Sequence, residues 1–184
     1  KTHRQHKIVG SKLKFIDLCC GIGGFHYALA NMGHECVMAS DINKDCRDNY
    51  LINHNLEPLD DLSKIEIHTI PNFDILCAGF PCQPFSKAGE QRGFDDKRGN
   101  IFFDICKIIK HHNPKYLILE NVRNLATHDN GNTWNIIKEQ IDKIYQLIAQ
   151  RKLAEAAKKL KKTQIDFPNW SPDEELKKQF RITQ

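Results

Sequence analysis

Four short apolar runs, KFIDL (14–18), ECVMAS (35–40), FDILCAG (73–79) and KYLILE (115–120), alternate with stretches of helical character. Each run has the length and apolar content of a strand. KFIDL is followed by a glycine cluster and a helix through about Met32. Before the fourth run, GNIFFDICKIIKHH (99–112) places Ile101, Phe102, Ile105, Ile108 and Ile109 on one helical face. Strands that alternate with helices imply right-handed crossovers and a parallel sheet covered on both faces. The expected fold is therefore a doubly wound, mostly parallel α/β domain. With 184 residues the chain can build one such core with an appendage, not two full domains.

Ligands of such sheets bind beyond the carboxyl ends of the strands, so the residues there are the first candidates for function. DLCCGIGGF (17–25) sets Gly21, Gly23 and Gly24 after the first strand and at the opening of a helix. Glycines there allow a tight turn and close approach of a ligand to the backbone; close packing of strand and helix is the other reading. Asp41 ends the second strand twenty residues after Gly21, where an acid suits ribose hydroxyls. Together they favour a nucleoside-bearing cofactor. The spacing G-x-G-G departs from the dinucleotide fingerprint G-x-G-x-x-G and disfavours NAD.

GFPCQPFS (79–86) follows the third strand. Pro81 and Pro84 confine the backbone of Cys82 and Gln83, which either ends the strand or aims a side chain. Cys77 reads as core, whereas Cys82 lies beyond the strand. LENV (119–122) ends the fourth strand and carries Glu120. One helix joins these strands, so Cys82 and Glu120 can face each other across a cleft as nucleophile and acid.

Composition narrows the class. Seven cysteines, an odd number without a C-x-x-C pair, argue for reduced thiols rather than a disulfide framework or a zinc site. No metal is expected. No apolar run is long enough to span a membrane and no secretory leader is evident, so a cytoplasmic protein is expected. Between Lys143 and Gln184 ten Lys or Arg face five Asp or Glu, while residues 1–142 carry a net −1. Nucleic acid suits such a tail, and a solvated helix face is the commoner use of one.

The motifs resemble the DNA (cytosine-5) methyltransferases, most closely those of bacterial restriction-modification systems. DLCCGIGGFHYAL is similar to their cofactor loop, GFPCQPFS to their catalytic loop and ENVRNLATHDNGNT to their glutamate segment, in the family's order from about Lys14 to Ile141. The resemblance implies a Rossmann-like S-adenosylmethionine-dependent fold. It implies Cys82 as the nucleophile that adds to C6 of a cytosine flipped out of double-stranded DNA, with Glu120 acting at N3. It assigns Cys19, Gly21, Ile22, Gly24, Asp41, Ile42, Asp61, Leu62, Gly79, Pro81 and Ile101 to the S-adenosyl-L-methionine site. Gln83, Ser86 and Asn121 are assigned to the substrate, and the segment from Ser86 to Gly99 to a loop closing over the base.

Two departures concern the cofactor: Cys19-Cys20 stand where many relatives have Phe-Ala, and Asp41 replaces a commoner Glu. A larger one follows the glutamate segment. The family's Gln-x-Arg-x-Arg strand, target-recognition domain and Gly-Asn-x-Val segment are not recognisable. TWNIIKEQIDKIYQLIAQRKLAEAAKKLKK (133–162) instead reads as one long helix, and Ser171-Pro172 with following acids as the start of a short final one. The expected organisation is an N-terminal extension (1–13), a catalytic domain (14–142) and a basic helical tail (143–184). Such a chain can be one subunit of a split enzyme with a partner supplying recognition, a truncated product, a related tRNA methyltransferase, or an inactive cofactor- or partner-binding remnant.

Overall fold

The computed structural model describes residues 11–81 and 101–162. Cys82, Gln83, Ser86, the closing-loop segment and the short final helix expected from the sequence lie outside them. Strands β1 (Lys14–Leu18), β2 (Glu35–Ser40), β3 (Ile75–Gly79) and β4 (Tyr116–Glu120) form one parallel sheet in the order β2-β1-β3-β4. The strand order reverses at β1, which pairs with β2 on one side and β3 on the other, so the carboxyl ends of β1 and β3 flank the crevice where ligands of such sheets bind. The sheet, its helices and a long C-terminal helix match the doubly wound fold expected from the alternation of runs.

The intervening helices are α1 (Gly24–Asn31), α2 (Lys44–His54), α3 (Ile101–His112) and α4 (Asn132–Lys162). Their ends have local causes. The first ends in a Schellman turn: Gly33, at φ 87°, and His34 donate to the carbonyls of Ala30 and Leu29. The second begins at Asn43, whose side chain accepts the N–H groups of Asp45 and Cys46, and ends at Asn55 in the left-handed region. Its sequence, KDCRDNYLINH, carries only Tyr50 into the core, and its lack of an apolar stripe left it unrecognised from the sequence. On α3, Phe102, Phe103, Ile105, Cys106, Ile108 and Ile109 are buried: four of the five residues expected from its periodicity, with Phe103 and Cys106 added, while Ile101 is only half-buried.

Side chains alternate along a strand, which puts Phe15 and Asp17 on one face of the sheet and Ile16 and Leu18 on the other. Phe15, Ile75 and Cys77 form a cluster with Leu29 of α1, and Tyr50 of α2 packs with Cys20 and Ala39. The crossover from β3 to β4 runs in the opposite direction across the sheet, so right-handedness carries α3 to the other face. At the amino ends of the strands Asp74 accepts the Lys14 N–H at 3.0 Å and pairs with Lys115 at 2.7 Å, tying β1 to β4.

Two compact units divide the chain, Lys1–Ile144 and Tyr145–Gln184, with α4 running through both. The sheet and everything described below as the site belong to the first. Among the described residues no helix is long and apolar enough to cross a membrane, and no group of three His, Cys, Asp or Glu could hold a metal ion.

Candidate active site

The residues after the four strands meet around one cavity of about 600 Å³. After β1 the chain turns through three left-handed residues, Cys19 at φ 52°, Gly21 at 54° and Gly23 at 92°, which only short or absent side chains adopt at low cost. A Cβ on Gly21 or Gly24 would meet nothing within 4 Å, so these glycines leave open space beside the backbone rather than permitting a close internal packing.

The turn after β2 is held from several sides. Arg47 donates to the carbonyls of Asp41 and Ile42 at 2.8 and 2.9 Å. The carboxylate of Asp41 accepts the N–H of Gly21 on one oxygen and that of Asn43 on the other, each at 2.8 Å. Ile42 stays 77% exposed, an apolar side chain held at the cavity's edge. A bridge from Ser40 to Leu59 brings Asp60 and Asp61 to the same edge. Asp61 caps the following turn by accepting both the N–H and hydroxyl of Ser63, bonds that hold its carboxyl below the usual range.

β3 and β4 finish in register, Gly79 opposite Glu120. A Cβ on Gly79 would lie 3.3 Å from a Glu120 carboxylate oxygen, so glycine makes room for this acid. Asn121 donates its side-chain N–H to the Phe80 carbonyl at 2.6 Å, fixing the start of the turn that leads through Pro81 to Cys82.

Cys19, Asp41, Ile42, Asp61, Leu62, Gly79, Pro81, Ile101, Glu120 and Asn121 thus all line one cavity. Gly21, Ile22 and Gly24 do not line it; Gly21 joins it through Asp41, and Ile22 is 64% exposed with its carbonyl facing His54. Sequence reasoning missed Ser40, Asp60, Ser63, Phe80, Asp104 and Val122, which also line it. Of these, the Asp60-Asp61 pair was legible beside its singled-out neighbour; the others are placed by the sheet alone.

The described cysteines are all free, and each is held toward its protonated form, chiefly by burial. Cys19, at the cavity, is pushed up to about 11 by burial and then by Asp41 and Asp17, and Cys77 to about 12 by burial and the charges near it. None of these six is a ready thiolate nucleophile.

The cavity fits a nucleoside cofactor. Its volume lies in the small-molecule range, it pairs carboxylates suited to hydroxyl and amino groups with apolar Ile42, Leu62, Pro81 and Ile101, and the buried Ser40 hydroxyl beside it has no hydrogen-bond partner among the described residues.

A family model described as C-5 cytosine-specific DNA methylase matches residues 13–150. The chain belongs to that family. It is similar to the Type II methyltransferase M.HhaI of Haemophilus parahaemolyticus, with 46% identity over 132 residues, 72% of this chain and 40% of the relative. The Type II methyltransferase M.HaeII of Haemophilus aegyptius is 45% identical over 131 residues, 71% of this chain and 41% of the relative. Among solved structures the S. pombe Dnmt2 methyltransferase superposes with a TM-score of 0.53 at 28% identity, covering 68% of this chain and 41% of that one. The chain spans 40% of the length of the first of these relatives and 41% of the second, and as little as 32% of others that it matches.

Proposed function

We propose that this chain carries the catalytic half of a restriction-modification DNA methyltransferase, acting at C5 of a cytosine. What supports this most directly is the register of Gly79 with Glu120. Gly79, Pro81 and Glu120 line the cavity assigned to the cofactor, and Cys82 follows Pro81 in the sequence, which supports reading Cys82 and Glu120 as the nucleophile and the acid. The six described thiols are all held toward their protonated forms, which supports reading Cys82 as the nucleophile.

When bound, S-adenosylmethionine supplies an electrophilic methyl group. Cys82 and Glu120 prepare the base to receive it. The Cys82 thiolate adds to C6 of the flipped cytosine, forming a C–S bond and moving electron density to C5. Glu120 holds a proton at N3, where negative charge develops. Once C5 has used that electron density to bond the methyl group, its proton would pass to a water molecule, the C–H electron pair would re-form the C5–C6 double bond, and the C–S bond would break to release the Cys82 thiolate. Flipping costs about a few kcal/mol and exposes C6 to the thiolate. Asp41 and the Gly21 turn hold the ribose side of the cofactor, Ile42 and Leu62 its base, and Asn121 fixes the Phe80 carbonyl, two residues before Cys82 in the sequence.

Covalent capture tests this reading. With S-adenosylmethionine and a duplex containing 5-fluorocytosine, the chain forms a denaturation-resistant adduct and Cys82→Ser does not. Equal adduct from both proteins removes Cys82 from the mechanism.

A further inference from the structure

Under the glycine loop lies a group of side chains with no part in methyl transfer. Gly23 is left-handed, and a Cβ there would overlap the imidazole of His54. The Nε2 atom of this histidine is 3.2 Å from the Ile22 carbonyl oxygen. A carbonyl only accepts, so Nε2 carries the hydrogen. The imidazole is itself held. It stacks on His26 of α1 with centroids 4.1 Å apart and planes 13° from parallel, and Tyr50 tilts against it at 4.6 Å. His26 Nδ1 lies 2.8 Å from the Tyr50 hydroxyl, which in turn donates to buried Asp17 at 3.4 Å.

The carbonyl of Ile22 and the N–H of Gly23 belong to one peptide plane. Its N–H donates to the Cys20 carbonyl at 2.9 Å, and its carbonyl is met by His54. With left-handed glycines on both sides of Ile22, little else in the loop's own backbone prefers one orientation of that plane. We propose that His54 is a positioning residue for the glycine loop: from α2 it fixes the Ile22–Gly23 peptide and so presets the loop to receive S-adenosylmethionine. The cofactor part rests on the reading given under Proposed function. Helix α2 then serves the cofactor site twice, through Arg47 on the Asp41 turn and through His54 on the glycine loop.

The length of an amide side chain tests this. Gln places its N–H about where His carries Nε2, whereas Asn reaches only to the level of Nδ1. Calorimetric titration with S-adenosylhomocysteine compares the unaltered chain, His54→Gln and His54→Asn. The expected result is binding weakened about tenfold in His54→Asn and within about threefold of the parent in His54→Gln, the difference of one hydrogen bond. A packing role alone weakens both amides alike, and that result, or parental affinity in both, overturns the proposal. If the unaltered chain binds no S-adenosylhomocysteine, the cofactor reading fails separately. Amide exchange then decides the positioning role: faster exchange across residues 21–24 in His54→Asn but not in His54→Gln upholds it, and equal exchange overturns it.

Discussion

Asp41 accepts the backbone N–H of Gly21 at 2.8 Å, so the acid after β2 is also the anchor of the turn after β1. Its carboxylate therefore has two tasks, one toward the ligand and one toward the loop. Asp41→Ala removes both and leaves the Gly21 N–H without its acceptor. The expected loss of S-adenosylhomocysteine affinity is about 1–3 kcal/mol, roughly five- to 150-fold, measured by calorimetry. An unchanged affinity places the ribose elsewhere.

Gly79 separates two effects that are often confounded. A methyl group there comes within 3.3 Å of the far end of the Glu120 side chain, which is exposed and can swing aside. Gly79→Ala should therefore change unfolding free energy by only about 0.5 kcal/mol, as surface substitutions do. Adduct formation with 5-fluorocytosine DNA should slow about tenfold to a hundredfold, because the acid no longer stands where N3 arrives. A normal rate shows that the Glu120 position in this structure is not the reactive one.

The Asn121 side chain bridges the ends of β3 and β4 through the Phe80 carbonyl. Asn121→Asp sets a carboxylate against that carbonyl, losing the donor and adding repulsion. The expected cost is about 1–3 kcal/mol in urea unfolding at neutral pH. Adduct formation should fall with it, since Cys82 follows Phe80 by two residues. If stability is retained, the turn is held by other contacts.

Asp17 and His26 give the stability two opposed dependences on pH. Asp17 is fully buried, and burial, ahead of all other influences, pushes its carboxyl from 3.8 up to about 7. The folded chain therefore keeps a proton that the unfolded chain has released between about pH 4 and 7, and this group lowers stability as pH rises through that window. His26 is pushed from 6.5 down to about 4, first by burial and then by His54. There the unfolded chain takes up the proton, and stability rises with pH between about 4 and 6.5. The two slopes offset in the parent. Asp17→Asn leaves only that of His26, so urea midpoints at pH 4.5, 5.5 and 6.5 should climb in the variant and stay nearly level in the parent. Parallel profiles mean that Asp17 is ionised throughout.

Much of this protein was legible in its sequence because the responsible forces are local or periodic. Four apolar runs were long enough for strands and too short for anything else, and the helical spacing from Ile101 to Ile109 marked a buried face. Right-handed crossovers then made a parallel sheet, which put every post-strand residue at one edge. That is why the glycine cluster with Asp41, and Glu120, could be singled out from their places after the strands, whereas Cys19 and Gly79 were implied by the resemblance. Helix α2 was not legible, because an Asn43 cap and a single buried tyrosine hold it rather than an apolar stripe.

The tertiary structure decided which of these groups meet, and at what distance. Asp41 faces the Gly21 N–H because a bridge and Arg47 set the turn after β2. Glu120 stands over Gly79 because β3 and β4 pair in that register rather than one residue away, which would turn the carboxylate to the other face of the sheet. Asp17 becomes a weak acid only because the sheet and α2 close around it, leaving one of its carboxylate oxygens without a partner among the described residues. Its ionisation, like the contact of His54 with the Ile22 peptide, depends on the solvation and approach of groups far apart in the chain. Residue type and spacing do not encode those distances; packing does.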